Sequence, residues 1–254
     1  MEILKPNWPA PENISAFITT RKGGLSLSPW NSNNFGFNVG DNIKSVENNW
    51  RLLSQEVSLP SRPQLLDQVH GVNVVQATCD GSTIVGDGSF TKKSKIVCSV
   101  TTADCLPILI CDVQGTLVAS IHAGWRGLSA GIITNFIKQL NVNPDDLMVY
   151  IGPTISQKNF EVGHEVKKAF LNRCCSIALQ EKVSSCFVRV KQKNFYQDEK
   201  WRANLYELAK IYFNENYVFK IYGGDLCTYD DYKRFYSYRR DGNTGRMASL
   251  IWFS

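Results

Sequence analysis

The chain has 254 residues, a net charge of +5 (28 basic against 23 acidic side chains) and only three histidines. At 43% hydrophobic and 20% charged it excludes a disordered chain, no apolar run approaches the ~18 residues of a membrane helix, and the basic excess is too diffuse to point to nucleic acid. Eight cysteines without a CxxC pair read as reduced thiols, and with no basic segment leading into an apolar one at the start, the expected location is cytoplasmic.

Taken in chain order, residues 14–20 predict a strand and residues 23–41 a glycine- and asparagine-rich loop carrying Trp30, Phe35 and Phe37. The spacing of Val46, Trp50, Leu53 and Val57 predicts a helix over 45–57, ended by Pro60 and Pro63. Short runs rich in Val, Ile and Leu at 65–69, 72–77, 96–101, 107–112 and 116–121 predict strands covered on both faces. Asp80-Gly81 and Gly86-Asp87-Gly88 read as turns between them. Ile132, Ile133, Phe136, Ile137 and Leu140 stripe a helix over 128–140. Beyond it, strands are predicted at 148–151, 187–190 and 220–222, and helices at 162–171 and 204–213. Residues 234–240 and 246–253 predict a closing hairpin around 241–245. With no repeat and no clear linker, the expected architecture is a single α/β domain over residues 1–254, its mixed β-sheet flanked by helices.

Three segments place metal-capable side chains where strands meet turns, the region in which α/β sheets meet their ligands. They are Asp67-Gln68-Val69-His70-Gly71, Ala103-Asp104-Cys105-Leu106-Pro107 and His122-Ala123-Gly124-Trp125-Arg126-Gly127. Two imidazoles and one thiolate, from His70, His122 and Cys105, make a candidate zinc shell with an open fourth position, the pattern of a catalytic site. Spacing alone also admits separate roles, with a buried cysteine and two hydrogen-bonded histidines. Gly124 and Gly127 allow close backbone approach to a ligand, and with Arg126 and a following helix they form a candidate phosphate cradle; the alternative is a plain strand-to-helix turn. Asp104 is a candidate to orient a ligand histidine or carry a proton, provided the backbone beside Cys105 is irregular. Arg21 and Arg239 are candidate cationic contacts, against the alternatives of a turn and an edge-strand charge cluster, while His164 reads as a surface histidine.

These segments, together with Thr20-Arg21-Lys22-Gly23-Gly24, Ile151-Gly152-Pro153, Phe160-Glu161-Val162-Gly163, Ser237-Tyr238-Arg239-Arg240 and Thr244-Gly245-Arg246, span nearly the whole chain. In this order the set resembles the YfiH or laccase-domain family, also described as multicopper polyphenol oxidase-like proteins. The resemblance implies a YfiH-like α/β fold binding one zinc through His70, Cys105 and His122. It also implies purine nucleoside phosphorylase activity on adenosine, inosine, guanosine and S-methyl-5'-thioadenosine, with adenosine deaminase as a side activity. Purine nucleosides and phosphate are then the expected partners, with no nucleic acid or membrane, and the protein is expected as a monomer or homodimer. Copper is the lesser metal candidate: a multicopper oxidase needs many imidazoles, and neither Met148 nor Met247 is near Cys105 in sequence.

On this reading phosphate sits near the open metal position and Arg126, aimed at the ribose anomeric carbon. Asp104 is the expected proton donor to the departing base, and the aromatic loop around Trp30–Phe37, numbered 30–37, either stacks on the purine or packs in the core. The rivals are a metal-free hydrolase, with Cys105 as nucleophile and His122 as base, and a copper-binding polyphenol oxidoreductase.

Overall fold

Every residue of the strands Leu106–Asp112 and Val118–Ala123 is buried, and the two pair antiparallel. Continuous apolarity is required because their two faces meet different layers. Leu106, Ile108 and Ile110 join Ala119 and Ile121 against helices, whereas Leu109, Cys111 and Val118 face a second sheet. The computed structural model describes residues 1–190 and 199–254.

These two strands lie at the middle of a six-stranded mixed sheet. Its order is Lys220–Gly223, Leu147–Ile151, Leu106–Asp112, Val118–Ala123, Gly88–Thr91 and Val74–Gln76. The outermost pairing on each side is parallel and the inner three are antiparallel. The second sheet is antiparallel throughout and runs Ile3–Leu4, Ile14–Thr19, Met247–Phe253, Cys98–Thr102. Ile18, Met148, Ile251 and Phe253 fill the layer between the sheets. On the opposite face the helices Ile132–Leu140 and Leu205–Glu215 deliver Ile133, Phe136, Leu208 and Phe213 to the main core. A small sheet of Glu161–Gly163, Lys200–Ala203 and Phe187–Arg189 and the parallel pair Leu65–Asp67 and Thr83–Val85 complete the α/β architecture. Among the described residues no helix is long and apolar enough to cross a membrane.

Several expected elements differ in detail. The helix over 128–140 is two helices, Trp125–Ala130 and Ile132–Leu140, broken where Gly131 takes a left-handed φ of 94° that an uninterrupted helix cannot contain. The predicted final hairpin is absent: a short helix, Tyr238–Asp241, precedes Met247–Phe253, which instead pairs with Ile14–Thr19 and Cys98–Thr102. Ser237 accounts for that helix start, its hydroxyl accepting from the Arg240 N–H. Residues 162–171 divide into strand Glu161–Gly163 and helix His164–Leu171. The helix Ile177–Ser185, capped by Ser176, was not expected, having only two buried residues to mark a stripe.

Candidate metal centre and pocket

The antiparallel register sets Pro107 opposite His122 and Leu106 opposite Ala123, which brings Cys105 beside Gly124. His122 stands on the same face of its strand as Val118 and Ser120, away from the helices. His70 comes from the loop after Leu65–Asp67 and has a left-handed φ of 60°. The ligand atoms of His70, Cys105 and His122 all lie within 4.8 Å of one another. Cys105 Sγ is 3.9 Å from His70 Nε2, and the two imidazoles meet edge to face with centroids 4.8 Å apart.

Gly124 tests how tightly this group is built. A Cβ there would fall 2.8 Å from His70 Cδ2, 3.1 Å from Cys105 Sγ and 3.6 Å from His122 Cε1. The glycine therefore leaves the space in which the three side chains converge. One sulfur and two imidazoles are the donor set of an open, three-ligand zinc site, so these residues fit such an ion.

Asp87 arranges the two histidines. Its Oδ1 accepts from His122 Nδ1 at 2.8 Å and from the His70 N–H at 2.9 Å, while its Oδ2 accepts from the Gly71 N–H at 2.6 Å. Burial pushes the Asp87 carboxyl upward, but the His122 hydrogen bond and charge and the two backbone N–H groups outweigh it and hold the carboxyl below its ordinary value. Burial likewise opposes ionisation of Cys105, yet the charge and hydrogen bond of His122, with His70 adding to both, bring the thiol down to about 6. His122 would be neutralised by burial alone; the Cys105 thiolate and Asp87 raise it to about 9. Each partner thus favours the charged form of the other.

The group lies in a pocket of about 820 Å³. Phe37, Asn38 and Asp67 line it, as do Trp125, Arg126, Phe160, Tyr238, Arg239 and Arg246. Arg126 is exposed and lies 4.5 Å above the Trp125 ring. Arg239 is exposed, donates to the Glu161 carbonyl at 2.7 Å and lies 5.2 Å from the Phe160 ring. Arg246 is half-buried and anchored to the Thr244 and Gly245 carbonyls; burial lowers its pKa, opposed by the negative charge of Cys105 and Asp104.

Of the residues selected from the sequence, His70, Asp104, Cys105, His122, Arg126 and Arg239 line this pocket and Gly124 abuts the three ligands. Arg21 is the exception. Its guanidinium donates to the carbonyls of Asn31 and Tyr232, stacks 4.8 Å from the Tyr236 ring, and knits the first loop to the C-terminal segment outside the pocket lining. Asp104 does have the required irregular backbone, with a φ of 85°. It does not orient a histidine, however. Its carboxylate accepts from Thr228 Oγ1 at 2.6 Å, Ser237 Oγ at 3.0 Å and the Arg239 N–H at 2.7 Å. Those contacts engage both oxygens and tie Asp104 to the segment carrying Arg239. Of the aromatic loop, Phe35 packs in the core against Trp50, and Phe37 reaches the pocket. His164 is exposed, as expected. Asp87 and Arg246 were not singled out from the sequence, and the signal for Asp87 was an acidic residue between two glycines at a strand start.

A family model described as multi-copper polyphenol oxidoreductase laccase matches residues 15–254. The chain belongs to this family. Within it, a purine nucleoside phosphorylase of Haemophilus influenzae is 41% identical over 253 residues, covering 100% of each chain. Purine nucleoside phosphorylase YfiH of Escherichia coli is 41% identical over 252 residues, 99% of this chain and 98% of its own. A Neisseria meningitidis protein of known crystal structure is 41% identical with a TM-score of 0.90, covering 100% of each chain. The resemblance drawn from the motifs is borne out. The family's laccase wording stands beside a His-Cys-His group and, among the described residues, a pocket lining without methionine.

Proposed function

We propose that this protein is a zinc-dependent purine nucleoside phosphorylase acting on adenosine, inosine, guanosine and S-methyl-5'-thioadenosine. The observation that carries the proposal is the convergence of Cys105, His70 and His122 in a pocket that also presents Arg126, Arg239 and Arg246. The relatives from Haemophilus influenzae and Escherichia coli, both named as purine nucleoside phosphorylases, support the same reaction. His70, Cys105 and His122 would hold the zinc, which when bound supplies a Lewis acid with an open coordination position.

The arginines supply the counter-charge a phosphate dianion needs, and guanidinium is suited to it because it presents paired donors to phosphate oxygens. A phosphate oxygen forms a bond to the ribose anomeric carbon while the glycosidic bond to the purine nitrogen breaks. The bonding electrons leave with the base, which takes a proton from solvent, and the sugar departs as ribose 1-phosphate. The sugar passes through an oxocarbenium-like state that a held phosphate dianion stabilises. Phe37, Phe160 and Tyr238 offer aromatic surface for the nucleoside. Adenosine deaminase remains a proposed side activity. It needs a proton carrier close to the attacked purine carbon, and the pocket carboxylates are Asp67 and the fully engaged Asp104.

The lowered Cys105 thiol paired with His122 also favours a second reading, a metal-free cysteine hydrolase. Chelation and alkylation separate the two. On the phosphorylase reading, a chelator abolishes turnover, zinc restores it, and zinc shields Cys105 from iodoacetamide. Activity that survives chelation but not alkylation would overturn the metal reading.

A further inference from the structure

We propose that Asp87 is a positioning residue that pre-forms the metal site by fixing both histidine ligands at once; the inference rests on the zinc reading above. Asp87 is fully buried, and its three acceptor contacts go to His122 Nδ1, the His70 N–H and the Gly71 N–H. Because a carboxylate can only accept, the 2.8 Å contact places the proton of His122 on Nδ1 and leaves Nε2 for the metal. The same Oδ1 holds the His70 backbone N–H in a left-handed conformation that costs a non-glycine residue about 1–2 kcal/mol. Neither histidine is thus left to find its orientation when the ion arrives.

The surrounding backbone is built to deliver this carboxylate. The Asp87 carbonyl accepts from the His122 N–H at 2.7 Å and its N–H donates to the Asn73 carbonyl at 2.8 Å. Gly88 pairs with Ile121, so Asp87 lies alongside His122 at the next register position. A Cβ on Gly88 would come within 3.1 Å of both Ile121 Cγ1 and the Ser120 carbonyl, so the glycine keeps the two strands close enough for the contact. The Gly-Asp-Gly sequence is consequently a ligand-orienting element at the start of a strand as well as a bend.

Metal-free wild type and Asp87→Asn are titrated with zinc against a chromophoric chelator, and the absorption spectra of their cobalt forms are compared. An asparagine oxygen can still accept from His122, but its amide group then faces the Gly71 N–H as a second donor. The expected result is about a 10–100-fold loss of zinc affinity and a changed cobalt spectrum, with the far-UV circular dichroism of the fold retained. Nitrogen-15 NMR of histidine-labelled, zinc-loaded wild type requires no variant, and should show His122 bound through Nε2 with a protonated Nδ1. His122 bound through Nδ1, or a folded Asp87→Asn protein with wild-type affinity and cobalt spectrum, overturns the proposal. A wild type that takes up no zinc overturns the metal reading and this inference together, whereas wild-type binding beside an unaltered Asp87→Asn protein overturns this inference alone.

Discussion

Gly124→Ala should separate the metal site from the fold. Gly124 precedes the helix Trp125–Ala130 with φ −64° and ψ 160°, a conformation open to alanine, so the backbone itself is not strained by the change. Exchanging glycine for alanine at a compatible position gains about 0.4–1 kcal/mol through the unfolded chain, offset by up to about 1 kcal/mol for the poorer helix cap. The folded protein should therefore change in stability by no more than about 1 kcal/mol. The ligands fare differently. The new Cβ would stand 2.8 Å from His70 Cδ2, and an ordinary carbon–carbon contact of about 3.5 Å requires the exposed ring to withdraw by roughly 0.7 Å. Metal–ligand distances tolerate only about 0.2 Å. Zinc affinity should fall by about tenfold or more while the melting temperature of the metal-free protein barely moves. Competition titration and thermal unfolding of the same sample measure both. Unchanged zinc affinity in Gly124→Ala would refute the convergence argument, and collapse of the metal-free fold would refute the claim that only the site is crowded.

Other residues carry separate expectations. Arg246→Ala and Arg126→Ala should each raise the KM for phosphate about tenfold or more, the worth of a charge-assisted hydrogen bond, with zinc affinity unchanged in direct titration. Asp104→Asn should lower turnover through phosphate use, because it weakens the contacts that seat the Arg239 backbone; equal losses in KM for nucleoside and for phosphate would count against that role. In metal-free protein the Cys105 thiol is neutral below its value of about 6 and ionised above it. Its alkylation rate, followed by peptide mass spectrometry, should therefore climb through pH 6 and level off well before the ordinary thiol value of 9.0. A midpoint near the ordinary value would show that His122 does not hold the thiolate.

The residues that converge on the site were legible through the family resemblance: two of the chain's three histidines stand beside strand ends with a cysteine between, a pattern that spacing alone left open to separate roles. The strand Leu106–Asp112 was equally plain, since seven buried residues in a row leave no polar face to misread. What escaped was whatever depends on long-range pairing. Asp87 looked like turn chemistry because its flanking glycines serve a close strand approach that is visible only once Gly88 faces Ile121. Arg21 and Arg246 each lie within two residues of a glycine, but carbonyls of Asn31 and Tyr232 occupy the first outside the pocket while the second lines it. The C-terminal hairpin failed for a related reason: Met247–Phe253 is a central strand with partners on both sides, and periodicity does not say which strands those are.

Phosphorolysis at this pocket is tested most directly by phosphorus-31 NMR of zinc-loaded protein with adenosine and inorganic phosphate. The phosphate signal should decline as ribose 1-phosphate appears in equal amount, with matching adenine by chromatography and no adenine when phosphate is omitted. Adenine released without phosphate, inosine as the sole product, or an unchanged phosphate signal under zinc-replete conditions would contradict it.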